Sequence, residues 1–285
     1  MVKLILVSGL VPFDSGKTWF TLGSALYARN LGFTVRVFKP VAGHNVWYSP
    51  RAVKKTLELR ALVGNDVGLY YEKGLVENPV LGNPIALATA PPDPYLYGED
   101  IESYERDFEN TYAITMLSRI TDCVNEVTVH YFYPENLGKA PLGARRALHK
   151  LMSALRAEKS AISELLSYML SRRAEDNLSV CLDKIKRNAD VVFIESFNDA
   201  VSPYISLIRE VDVVAIVAPG KVLVYKDVDE FRELVSYNVK QLGWEGYRSK
   251  YVVKRLKPRA VFDTELISKP KTSSVHKRFV ESVLS

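Results

Sequence analysis

The chain is poor in several things that would each have directed the reading elsewhere. Of its 285 residues only two are cysteine, Cys123 and Cys181, and they lie far apart with no C-x-x-C. That pattern implies neither a disulfide framework nor a zinc site. No apolar run approaches the roughly 18 residues of a membrane span, so no membrane partner is expected. The first residues form a strand candidate and carry no basic head with a cleavage site, which argues against a signal peptide and for a cytoplasmic protein. Glutamine occurs once, at Gln241, whereas Lys, Arg, Glu and Tyr are plentiful. Scarce glutamine and abundant ion-pairing side chains fit a thermophile's protein. That habit also accounts for a net charge of +5 and a pI near 9.0 without a polyanionic partner.

What is present centres on Val2–Leu22. The run Leu4-Ile5-Leu6-Val7 has strand length and ends in Ser8-Gly9. A turn-rich segment leads to Gly16-Lys17-Thr18, after which Leu22, Leu26 and Leu31 recur at helical spacing. Strand, loop, G-K-T and helix make a phosphate-binding loop. Amide N–H groups and the dipole at a helix start favour an anion. Lys17 would reach the β/γ-phosphates and Thr18 would take Mg²⁺. The spacing departs from G-x-x-x-x-G-K-[ST], because position 11 is Val11 and the nearest upstream glycine is Gly9. The expected ligands are ATP, with GTP as the alternative, and Mg²⁺. No guanine-reading N-K-x-D or T-K-x-D is present, which favours ATP.

Along the chain, Gly16–Leu31 reads as a helix and Thr34–Phe38 as a strand, a βαβ unit with parallel strands. A helix is expected from Ser49-Pro50 to about Val63. Residues 74–98 are turn-rich and read as a loop across one end of the sheet. From Glu99 to Asn188 the pattern is mostly helical, over Ile101–Val124, Ala144–Arg173 and Leu178–Asn188, with one strand-like piece at Val127–Tyr133. Strands return at Val191–Ile194, Val211–Val217, Tyr251–Val253 and Arg259–Phe262, with helices at Asp227–Val239 and Ser273–Leu284. The expectation is a single α/β domain over 1–285. Its mostly parallel sheet carries helices on both faces, and residues 99–188 form a largely helical insertion or cap. Gly9–Thr18, Lys39–Gly43, Glu195–Asp199 and Pro219–Lys221 fall at strand C-terminal ends and should converge on one crevice.

Those four segments, D-S-G-K-T, F-K-P-V-A-G, V-V-F-I-E-S-F and I-V-A-P-G-K, stand in the order seen in dethiobiotin synthetase. The chain resembles that family and, more broadly, the MinD-like class of P-loop NTPases, which includes archaeal proteins described as P-loop ATPases or GTPases. The resemblance covers about Val2–Gly43 and Asp190–Lys221. It implies that Lys17 and Thr18 hold phosphate and Mg²⁺, that Lys39 faces substrate and transferred phosphate, and that Glu195 is an acidic Mg²⁺ ligand. The implied site is catalytic Lys17, Lys39 and Glu195, with a nucleotide loop of Gly9, Asp14, Ser15, Gly16, Lys17 and Thr18. The implied chemistry is phosphoryl transfer to an unknown small molecule. Gly43 replaces the family's serine, Ser196-Phe197-Asn198-Asp199 replaces its glycine-rich run, and His44–Arg51 offers no second acidic ligand. The substrate therefore differs from that of the synthetase.

Simpler readings stand beside these. Lys39 is equally a strand-end surface lysine, Glu195 a helix cap, Lys221 a solvated turn residue and Asp14 a cap. His44, His130, His149 and His276 lack metal spacing. The cluster Arg248, Lys250, Lys254, Arg255, Lys257 and Arg259 reads as a solvated surface, since no aromatic-rich RNA motif accompanies it. Three functions follow: an ATP-dependent ligase or kinase, a MinD-type regulatory ATPase or GTPase, and a non-catalytic nucleotide-binding module. The early lysine of MinD-type switches is missing from Gly9-Leu10-Val11-Pro12, against the second. A homodimer is compatible with each.

Overall fold

The computed structural model describes residues 2–265 and 272–284. The chain divides into two compact units, one formed by residues up to Pro40 and from Leu182 onward, the other by Val41–Cys181. Both are α/β, and each has its own mixed sheet.

The first unit holds strands β1 (Lys3–Gly9) and β2 (Val35–Phe38), and the second unit then supplies β3 (Val41–Asn45), β4 (Ile85–Thr89), β5 (Thr115–Asp122), β6 (Val127–Phe132) and β7 (Glu158–Lys159). The chain returns to the first unit for β8 (Val191–Glu195), β9 (Val213–Ala218), β10 (Lys221–Tyr225) and β11 (Ala260–Asp263). The first sheet has the order β11-β10-β9-β1-β8-β2. Strands β2, β8, β1 and β9 are mutually parallel, whereas β10 and β11 run antiparallel to their neighbours. The expected mostly parallel sheet is thus a mixed one, because Gly220, at φ 82°, turns the chain straight back from β9 into β10.

Continuous apolar runs account for the parallel core. Ile5–Val7, Val191–Ile194 and Val213–Val217 are all buried, as strands covered on both faces must be. Helix α1 (Lys17–Asn30) follows β1 and packs against the C-terminal helix Ser274–Leu284. The Phe20 and Phe279 rings meet there with centroids 4.8 Å apart. Gly23 permits this approach, since an added Cβ would overlap the His276 ring.

The second unit departs most from expectation. It begins at Val41, not near residue 99, and is built around a five-stranded sheet of order β3-β4-β5-β6-β7. Ile85-Ala86-Leu87-Ala88-Thr89, hidden among turn signals, is a buried strand. The helical spacing read over Ile101–Val124 ends at Ile114, and Thr115–Asp122 is strand β5. Arg119 obscured that strand, for it is fully buried. Its Nε donates to the Leu62 carbonyl at 2.9 Å, and its Nη atoms reach Val80, Thr121 and Asn83. Burial lowers its pKa to about 9. Val127–Phe132 is a strand as expected and belongs to this sheet, not between β1 and β8. The long helix read over Ala144–Arg173 is two, Leu142–Leu155 and Ile162–Met169, and the next spans Arg172–Lys186. Tyr251–Val253 is helical within Ser249–Val253, where burial of Val252 outweighs β propensity. Cys123 and Cys181, 58 residues apart, form a disulfide with a Cα–Cα distance of 5.4 Å, a pairing that their spacing did not imply. Among the described residues no helix is long and apolar enough to cross a membrane.

Candidate functional site

Strand β1 lies between β8 and β9, and the ends of β1, β2, β8 and β9 fall on one edge of the first unit's sheet. The chain leaves β1 with the Leu10 amide donating to the Val217 carbonyl at 2.8 Å. Gly9 is required at this exit: a Cβ there would stand 2.7 Å from Ser15 Oγ and 2.8 Å from the Asn198 carbonyl. The loop therefore folds back on its own start and against the segment after Glu195. Asp14 (φ 51°) and Gly16 (φ 87°) take left-handed conformations. The turn into α1 is one that glycine adopts at least cost.

Gly16 caps α1 without a side-chain hydrogen bond, and the first turn holds no acidic residue. The start of the helix keeps its positive character for an anion. An open pocket of about 290 Å³ lies here, lined by Asp14, Ser15, Gly16, Lys17, Thr18 and Trp19. Ser15 is buried, and its hydroxyl has no hydrogen-bond partner among the described residues.

Side chains from α1 and from the residue just past β2 meet at one oxygen of the acid that ends β8. The Thr18 hydroxyl donates to Glu195 Oε1 at 3.0 Å, and Lys39 Nζ donates to the same oxygen at 2.7 Å. Lys39 also donates to the Ser196 carbonyl at 2.9 Å. Lys39 is buried, not a surface lysine, and Glu195 ends its strand fully buried without capping a helix. Lys39 directs its ammonium at the acid and is not among the residues lining the pocket. Val41-Ala42-Gly43, read as part of the same loop, belongs to β3 of the second unit. Lys221 opens β10 and is paired with Asp263.

The donor set fits Mg²⁺ in kind. A hydroxyl that donates to a carboxylate retains lone pairs for a cation, and hard oxygen ligands suit this ion. Thr18 and Glu195 would hold it, with the remaining positions left to phosphate and water. Lys39 places a positive charge on that same carboxylate. Among the described residues no group of three or more His, Cys, Asp or Glu side chains forms an all-protein metal site.

The sequence places Glu195–Asp199 at the crevice but does not show what two of its side chains do there. Ser196 directly follows Glu195, is buried, and has a hydroxyl without a hydrogen-bond partner among the described residues. Asp199 accepts from Arg248 Nε at 2.6 Å, and the Ser249 amide donates to the Asp199 carbonyl at 2.9 Å. The Asp199 hydrogen bond, ahead of burial, shifts Arg248 above its ordinary pKa. This pairing joins residues 49 apart in sequence, so no local pattern signals it.

No family model matches the chain, nor does any curated protein or solved structure.

Proposed function

We propose that the protein binds a magnesium–nucleoside triphosphate, ATP in preference to GTP, through Gly9–Thr18. We further propose that it uses this nucleotide to transfer phosphate to a small molecule, as an ATP-dependent ligase or kinase related to dethiobiotin synthetase. One observation carries this reading: Gly16-Lys17-Thr18 opens α1 directly after β1, and the Thr18 hydroxyl rests on the acid that ends the neighbouring β8. Lys17 supplies charge to the β/γ-phosphates, the free amides of α1 supply hydrogen bonds, and Thr18 with Glu195 holds Mg²⁺. Bound Mg²⁺ would neutralise charge on the phosphates as the bond to the leaving oxygen lengthens.

Calorimetry with Mg-ATP tests the binding step. Lys17→Ala should lose at least about tenfold in affinity, roughly one charged hydrogen bond, while the fold is kept. Equal affinity in the two proteins would overturn the phosphate-loop reading.

A second reading, a nucleotide-switched regulatory ATPase, draws support from Lys39. Its charge is held on Glu195 and not offered in the pocket. ATP consumption measured with and without a pool of small metabolites separates the two. Stimulation supports the ligase or kinase, and an unchanged basal rate supports the switch.

A further inference from the structure

Between Tyr237 and Arg259 stand seven Lys and Arg residues against one acid, Glu245. The segment's net charge is +6 in a chain whose net charge is +5, so the rest of the protein carries −1. The elements that carry this charge pack on one another. Helix Val228–Leu242, the turn Gly243–Tyr247 and helix Ser249–Val253 with its following tail converge on the buried Asn238. Gly246 sits so closely on the Asn238 carbonyl that a Cβ would overlap it, and Arg255 Nη1 donates to Asn238 Oδ1 at 2.9 Å.

Around that hub, Tyr237 is 52% exposed and Trp244 is 61% exposed. The Arg255 guanidinium lies 5.4 Å from the Tyr237 ring centroid. Lys240 stands one helical turn beyond Tyr237 and is exposed, as are Lys254 and Lys257. Glu245 is engaged by Arg248 and Lys250. Among the described residues no acidic side chain is paired with Lys240, Lys254 or Lys257. Exposed aromatic rings interleaved along the segment with uncompensated lysines match a single-stranded nucleic acid, whose phosphates need cations and whose unstacked bases need π-faces.

We infer that this face binds single-stranded nucleic acid, with Lys240, Lys254 and Lys257 on phosphates and Tyr237 and Trp244 under bases. An aromatic motif in sequence order is not needed, because Asn238 ties the segment of Trp244 and the segment of Lys254 and Lys257 to the helix that carries Tyr237 and Lys240. This face shares no residue with Gly9–Thr18.

Fluorescence anisotropy of the full chain with labelled twenty-nucleotide oligo-dT and oligo-U tests it, alongside a duplex of the same length and phosphatidylserine vesicles. Both single strands should bind more tightly than duplex, and the tighter of the two names DNA or RNA as the source. With three phosphates engaged, one by each of these lysines, affinity should fall about 20-fold between 50 and 200 mM salt. Lys254→Ala with Lys257→Ala should flatten that dependence by about two phosphates' worth. Trp244→Ala should weaken binding at least about fivefold, the lower end for a lost stacked base. These side chains are exposed, so matched circular dichroism and melting will show that the variants fold. Wild-type protein that binds neither strand at 50 mM salt would overturn the inference. So would single-strand binding indifferent to these substitutions, duplex binding as tight as single-strand binding, or binding to vesicles alone.

Discussion

Lys39 Nζ lies 2.7 Å from Glu195 Oε1, with both side chains almost wholly removed from solvent. A buried pair of this kind contributes little net stability, but removal of one partner strands the other charge. Lys39→Ala should therefore destabilise the protein by about 3–5 kcal/mol. Lys39→Ala combined with Glu195→Gln should recover much of that loss. Urea unfolding of the two single variants and the double variant checks it. Additive losses would show that the pair is not coupled.

The contact between Gly23 and His276 gives a packing prediction. Gly23→Ala drives a methyl group into the imidazole and should cost about 1–3 kcal/mol through overpacking. His276→Ala on that background should return part of the loss by making room. Thermal melts of the single and double variants measure the coupling.

The disulfide Cys123–Cys181 closes a 58-residue separation within the second unit. The chain-entropy model assigns a loop of that length about 4 kcal/mol of stabilisation. Cys123→Ser with Cys181→Ser, or reduction by dithiothreitol, should lower the melting temperature. The Asn177 side chain should keep the local geometry, as it accepts from the Cys123 amide at 2.7 Å and donates to the Thr121 carbonyl at 2.8 Å. A melting temperature unchanged by reduction would contradict a stabilising bridge.

Three buried imidazoles should make the fold acid-labile. Burial lowers His44, His130 and His276 from the ordinary 6.5 to about 4, with the Arg119 charge adding to the effect at His130. The folded state keeps them neutral while the unfolded chain protonates near pH 6.5. Stability is therefore complete above that pH and is lost as pH falls from about 6.5 to 4. Each imidazole accounts for on the order of 3 kcal/mol once fully titrated. His44 contributes most plainly, since neither ring nitrogen has a hydrogen-bond partner among the described residues. Urea midpoints at pH 7.5, 5.5 and 4.5 should fall in step. His44→Leu should reduce the dependence, and an equal pH dependence in that variant would exclude His44.

Local patterns determined a definite part of this protein. The apolar runs of β1, β8 and β9 are long enough to be recognised as strands buried on both faces, and Gly16-Lys17-Thr18 marks a helix start with a basic residue. The order of these elements placed Lys39 and Glu195 at strand ends. Only the tertiary structure decided that Lys39, Thr18 and Glu195 share one oxygen, because those contacts span 156 and 177 residues. The second unit's sheet was illegible for a related reason. Ala86 and Ala88 have weak strand propensity, and Arg119 looks like a surface residue until carbonyls brought from Leu62, Val80 and Asn83 satisfy its donors. A spacing rule reads neighbours along the chain, whereas burial of a charge or pairing of two cysteines depends on what the rest of the chain brings alongside.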